Sequence, residues 1–160
     1  MSELRVGIGI DAHAFSEEVT LVLGGVQLPG RGLAGHSDGD VVTHALIDAI
    51  LGAAGLDDIG ALFPSGDDQW EGASSLELLK RAYEDASGAG WELVNADCVL
   101  IGEEPRIAPV RSDLRQRLSA ALGVENDRIT VRATTTDRLG FTGRGEGLAA
   151  QAVALLRRQE

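Results

Sequence analysis

The sequence predicts a single α/β domain, and three observations carry that prediction. Segments with period-two alternation, characteristic of strands, are interleaved with segments whose apolar residues recur at helical spacing. The chain has 160 residues, enough for one domain with a real core. Hydrophobic residues make up 44% and charged residues 24%, the balance of an ordinary globular protein.

The first strand is expected over Arg5–Phe15, where Val6, Ile8 and Ile10 alternate with Gly7 and Gly9. On a strand, Asp11 and His13 share a side and Ala12 points away. Thr20–Leu28 reads as a second extended segment, with a bulge or close approach at Gly24-Gly25 and an end at Pro29-Gly30. A helix follows Ser37: Val42, Ala45, Leu46, Ala49, Ile50 and Ala53 form its stripe, Ser37 or Asp38 caps it, and Gly55 ends it. Asp40, His44 and Asp48 lie four residues apart on one face of that helix, so Asp48 or Asp40 is the expected orienting partner of His44.

Phe63–Asp68 is a polar loop. Ser74-Ser75-Leu76-Glu77 has the form of a capping box opening a helix through Leu79, Tyr83 and Ala86, closed by Gly88 and Gly90. Trp91–Gly102 reads as a strand, with Val94, Ala96, Cys98 and Leu100 on one face and Asn95 and Asp97 on the other. Cys98 on the apolar face is a small buried side chain, not a nucleophile. Pro109 opens a helix carrying Val110, Leu114, Leu118 and Leu122. Arg128–Thr134 is another strand, with Ile129, Val131 and Ala133 inward, and Leu148–Arg158 is expected to be a final helix.

Charge and composition exclude several functions. A formal net charge of −11 lacks the basic footprint of a nucleic-acid binder, and a phosphate ligand would need cations to offset repulsion. The single Cys98 rules out an intrachain disulfide and fits a reducing compartment. No apolar stretch reaches membrane-spanning length and the first residues do not form a signal peptide, so a cytoplasmic location is expected.

The candidate chemistry centres on the three histidines. Asp11, His13 and His44 make an Asp-His-His set of the kinds zinc accepts, with a fourth position open for a ligand oxygen. The alternative at this point is three solvated or capping histidines. His36, outside the helix, reads as a phosphate or substrate contact. The stretch Ala133–Gly147 joins Thr134, Thr135, Thr136 and Asp137 at a strand end to Arg144 and several glycines, which permit backbone approach to an anion. Arg144 suits a diphosphate. No Walker lysine pattern and no dinucleotide fingerprint is present.

Taken together, Asp11-Ala12-His13, His36-Ser37-Asp38-Gly39-Asp40, His44-Ala45-Leu46, Asp58-Ile59-Gly60, Leu62-Phe63-Pro64 and the Ala133–Gly147 segment resemble the 2-C-methyl-D-erythritol 2,4-cyclodiphosphate synthase family. The resemblance implies a two-layer fold with a mixed sheet and helices on one face, assembled as a homotrimer with sheets toward the axis and active sites between subunits. It implies a lyase of non-mevalonate isoprenoid biosynthesis, acting on a small-molecule cytidine diphosphate substrate. Asp11, His13 and His44 match zinc ligands. Asp137 matches the position that holds magnesium or manganese, where glutamate is common. His36 and Thr135 match transition-state stabilisers. Ser37 matches a substrate contact, and Asp58, Gly60, Phe63 and Asp67 match the methylerythritol pocket. Gly102, Pro105, Arg106, Ala108 and Thr134 match the cytidine pocket. Phe141 and Arg144 match positions near the trimer axis, where an isoprenoid diphosphate is bound in some members. Three departures stand out: Ile8 and Ile10 replace a common His and Phe, Ser65 replaces a common Asp, and Asp137 is one methylene short. Two other functions remain open at this stage, a zinc phosphohydrolase and a non-catalytic isoprenoid-diphosphate-binding trimer.

Overall fold

The computed structural model describes residues 1–160. Its chain order is β1 (Leu4–Ser16), β2 (Leu21–Leu23), β3 (Val26–Leu28), β4 (Gly32–Leu33), α1 (Val41–Ala53), α2 (Ile59–Leu62), α3 (Ser75–Gly88), β5 (Trp91–Ile101), α4 (Arg111–Leu122), β6 (Ile129–Thr134), α5 (Gly140–Gly143) and β7 (Gly147–Arg158). The main sheet runs β4-β1-β7-β5-β6. It is mixed: β7 is antiparallel to both β1 and β5, and β5 is parallel to β6. Helices α1, α3 and α4 cover one face, and 35 buried apolar residues form one core between the layers.

The contact between β1 and α1 sets the geometry of everything above it. Gly7 and Gly9 face the helix, and a Cβ on either would lie 1.9 Å from a backbone oxygen of Ala49 or Ala45. Only glycine permits the helix to sit this close to the strand. Alanines at 45, 49 and 53, one per turn, supply the matching flat surface. Val6, Ile8 and Ile10 take the opposite parity and lie 57–69% exposed on the open face of the sheet.

Two segments depart from expectation. Leu148–Arg158 is a strand, β7, and not a helix. Its alanines and leucines favour helix locally, but the segment is the central strand, paired on both edges with β1 and β5. Leu148, Ala150, Ala152, Ala154 and Leu156 are buried at every second position, the alternation a strand requires. In β5, a register shift between Leu93 and Asn95 skips Val94. This bulge puts Trp91 and Leu93 in the core with Ala96, Cys98 and Leu100, and moves Val94 off the face expected of it. Burial pushes the Cys98 thiol up to about 12, consistent with an inert side chain.

Smaller differences are local. Gly24 and Gly25, with φ of 55° and 78°, form the two-residue turn of the β2–β3 hairpin and not a bulge, and the alternative of a close approach holds, since a Cβ on Gly25 would lie 2.3 Å from the Leu76 side chain. Ala133 is exposed, while Ile129 and Val131 are buried as expected. No helix is long and apolar enough to cross a membrane.

Candidate active site

Asp11 and His13 continue the parity of Gly7 and Gly9, so both side chains point toward α1. His44 stands in the first turn of that helix, over the same strand end. The N-cap of α1 is Asp40, not Ser37 or Asp38. Its carboxylate is buried and accepts from Thr43 N, Thr43 Oγ1, Gly24 N and Gly25 N at 2.7–3.1 Å. It therefore ties the hairpin to the helix start and makes no contact with His44.

The three expected ligands converge. His13 Nε2 lies 2.6 Å from Asp11 Oδ2 and 3.2 Å from His44 Nδ1, which is itself 3.1 Å from Asp11 Oδ2. On the far side of its ring, His13 Nδ1 is 2.8 Å from the carbonyl oxygen of Ala34. A carbonyl only accepts, so Nδ1 carries hydrogen and the neutral ring presents a bare Nε2 to the carboxylate. Two acceptors at 2.6 Å require a positive charge between them, either a proton or a metal ion. With the metal absent, burial disfavours charge on both groups. It is outweighed by their mutual hydrogen bond and attraction, which raise the His13 pKa and hold Asp11 at about 2. One carboxylate oxygen and two imidazole nitrogens within 4.8 Å of one another are a donor set that zinc fits.

Neither Asp48 nor Asp40 orients His44. Asp48 Oδ1 accepts from Ile59 N at 2.7 Å and so holds the start of α2, because its side chain leaves the helix toward that segment. His44 Nε2 instead meets Ser75 Oγ at 2.8 Å and Ser37 Oγ at 2.9 Å. Ser75 Oγ hydrogen-bonds Asp38 Oδ1, and Ser75 N donates to Asp38 Oδ2 at 2.9 Å. The expected capping box is thus replaced: Ser74 makes no side-chain cap bond, and Asp38 supplies the cap from another segment. The link between Asp38 and Ser75 is not legible in the sequence, because it is a contact between residues 37 apart.

A cleft of about 400 Å³ opens beside the triad. Asp11, His13, His36, Ser37, His44, Gly60 and Phe63 line it, joined by Ser65 and Trp70. His36 Nε2 donates to Asp67 O at 3.3 Å, which fixes the ring at the rim. Asp58 caps α2 through Ala61 N, and Asp67 caps the short turn Asp68–Trp70 through Gln69 N. Phe63 and Trp70 stack edge to face at 4.9 Å and make an apolar wall. Trp70 was missed in the sequence. A tryptophan isolated in a polar loop of an aromatic-poor chain was the available signal.

The remaining expected residues form a second group, beyond the ends of β5 and β6, and none of them lines that cleft. Gly102 N donates to Thr134 O at 3.0 Å, which joins the two strand ends. Pro105 follows a cis peptide, and Arg106 and Ala108 are exposed beyond it. Thr135 and Asp137 contact each other, and Asp137 takes a left-handed φ of 52°. Phe141 is exposed, and Arg144 donates twice to Glu146 Oε2 at 3.0 and 3.2 Å.

Comparison with known proteins places the chain in a family. The model of the YgbB family matches residues 4–157. A 2-C-methyl-D-erythritol 2,4-cyclodiphosphate synthase of Rubrobacter xylanophilus is 56% identical over 162 residues, covering 99% of this chain and 98% of that protein. Among solved structures, the bifunctional IspDF of Campylobacter jejuni superposes with a TM-score of 0.96 at 43% identity, over 100% of this chain and 44% of that one. A CDP complex of IspF from Plasmodium falciparum has a TM-score of 0.87 at 31% identity, over 100% and 99%. The chain belongs to the YgbB family of 2-C-methyl-D-erythritol 2,4-cyclodiphosphate synthases.

Proposed function

We propose that the protein converts 4-diphosphocytidyl-2-C-methyl-D-erythritol 2-phosphate to 2-C-methyl-D-erythritol 2,4-cyclodiphosphate and CMP. The observation that carries this is the convergence of Asp11, His13 and His44 on one point at the mouth of a cleft, in a chain of this family. In the reaction, an oxygen of the 2-phosphate attacks the β-phosphorus. The bond from that phosphorus to the oxygen bridging the two phosphates breaks, and CMP departs with the bridging oxygen. Water is not consumed.

Asp11, His13 and His44 would hold zinc, which when bound supplies Lewis-acid polarisation of a phosphoryl oxygen. The chain's own residues bind and orient. The Phe63–Trp70 wall and Gly60 receive the carbon skeleton, with Ser37 and the Asp58 and Asp67 segments around its hydroxyls. His36, its N–H exchanging the Asp67 carbonyl for the phosphate, donates from the rim to phosphoryl oxygens as charge builds on them, and Thr135 does so from the second group. Asp137 would offer one carboxylate to magnesium or manganese, which when bound would offset the charge of the diphosphate. Gly102, Pro105, Arg106, Ala108 and Thr134 receive the cytidine.

The two groups of residues occupy separate parts of one chain, which supports a site completed by a second copy. The open sheet face supports a homotrimer: Val6, Ile8 and Ile10 are exposed beside Val153, an apolar surface of the kind that an oligomer covers. Phe141 and Arg144 would then stand near the axis, where an isoprenoid diphosphate is the candidate ligand. A cytoplasmic location accords with the lone buried thiol.

Incubation with the cytidine-linked substrate tests the proposal. CMP and the cyclic diphosphate are expected in equal amounts, with loss of both after chelation and recovery on adding zinc. Open-chain phosphates would identify a hydrolase, and unchanged substrate a binding protein.

A further inference from the structure

We propose that Ser75, anchored by Asp38, is a positioning residue for the metal centre, acting through His44. The inference rests on the zinc reading above and concerns residues which that reading leaves without a role. Ser75 is fully buried at the start of α3, remote in sequence from every ligand. Its hydroxyl stands between His44 Nε2 at 2.8 Å and the Asp38 carboxylate, with Ser37 Oγ farther off at 3.5 Å. An ionised carboxylate only accepts, so the hydroxyl hydrogen goes to Asp38. The serine oxygen then has only lone pairs to offer His44, and Nε2 must carry the ring hydrogen. The tautomer that results turns a bare Nδ1 toward Asp11 Oδ2 and His13 Nε2, 3.1 and 3.2 Å away.

The anchor is itself fixed. Asp38 accepts from Ser75 N at 2.9 Å and from Asp40 N at 3.1 Å, so its carboxylate is held by the starts of both α3 and α1. Asp40 in turn caps α1, the helix that bears His44. The loop before α1, the start of α3 and the imidazole thus share one hydrogen-bond chain, running Asp38–Ser75–His44. His13 has a simpler device for the same end, since the Ala34 carbonyl fixes its tautomer directly. Both histidines are therefore set to bind through the nitrogen that faces Asp11. Ser37 Oγ also reaches His44 Nε2, at 2.9 Å, but its hydrogen is not committed to a carboxylate, so it does not dictate the tautomer.

Ser75→Ala removes the hydroxyl but keeps the backbone N–H that Asp38 caps, so α3 retains its start. Zinc affinity, measured by competition with a chromogenic chelator, is expected to fall about 10- to 100-fold. Long-range proton–nitrogen spectra of the metal-free protein should show His44 protonated at Nε2 in the parent and a tautomer mixture in the variant. A purely structural serine would lower the melting temperature and leave both readouts unmoved. If Ser75→Ala does not fold, Asp38→Asn is judged by the same two measurements. A folded variant with zinc affinity within about twofold of the parent overturns the proposal. A parent that binds no zinc overturns the metal reading itself, and the positioning role with it.

Discussion

At the scale of single residues, the triad makes distinct predictions for the metal-bound and metal-free protein. His44 bears on the site and only marginally on the core, whose large side chains lie elsewhere on α1. His44→Ala should keep the fold while zinc content and turnover fall by more than the 10- to 100-fold typical of an orienting partner; stoichiometric zinc in that variant would contradict the ligand set. In the metal-free protein, Asp11 is held at about 2 against an ordinary 3.8, and its contribution is present above 3.8 and lost as pH falls toward 2. His13 is raised above 6.5, and its contribution is present below 6.5 and lost as pH rises through the raised value. The pair should therefore stabilise the metal-free fold most between about pH 4 and 6.5. Melting temperatures of parent and Asp11→Asn in chelator, compared across pH, should differ most in that window and converge outside it. A difference that does not vary with pH would contradict the pairing. Asp137 poses a separate question. Asp137→Asn should raise several-fold the magnesium needed for half-maximal rate and leave zinc content unchanged, whereas Asp137→Glu should retain substantial activity. An Asn variant that titrates like the parent would exclude Asp137 from the magnesium site.

At the scale of elements, the metal centre depends on how closely α1 approaches β1. Gly9→Ala would press a methyl into the backbone of Ala45, where nothing flexible can yield. The expected cost is about 1–3 kcal/mol in chemical denaturation, with weakened zinc binding because His44 moves with the helix. Wild-type zinc affinity in that variant would show that the helix position does not set the site. Much of this level was legible in the sequence. The β1 and α1 patterns placed Asp11, His13 and His44 on facing elements, since parity and helical spacing are local properties. The β7 strand was not legible, because Ala-rich Leu148–Arg158 is helix-prone in isolation and only its central position in the sheet makes it extended. The partner of His44 was missed for a related reason. Helical spacing pointed to Asp48 and Asp40, but those carboxylates serve Ile59 N and the β2–β3 turn, while Ser75 arrives from another helix.

At the scale of the whole molecule, one chain carries two groups of proposed site residues and an apolar sheet face that a single copy leaves open. The proposed homotrimer would cover that face and bring the Thr135–Asp137 group of one copy to the triad of its neighbour. Ile8→Asp puts a charge on the centre of the face and should dissociate the assembly, because an unpaired carboxylate is costly to bury there. Sedimentation should show smaller species, and turnover should fall with the triad intact in each chain; full activity in a dispersed monomer would contradict a shared site. In the proposed reaction the bond to CMP is broken by the substrate's own phosphate and not by water. The most direct test is to run the reaction in oxygen-18 water with zinc and magnesium and weigh the products. CMP and a cyclic diphosphate that both carry no label from solvent are expected. Open-chain phosphates bearing oxygen-18 would contradict it.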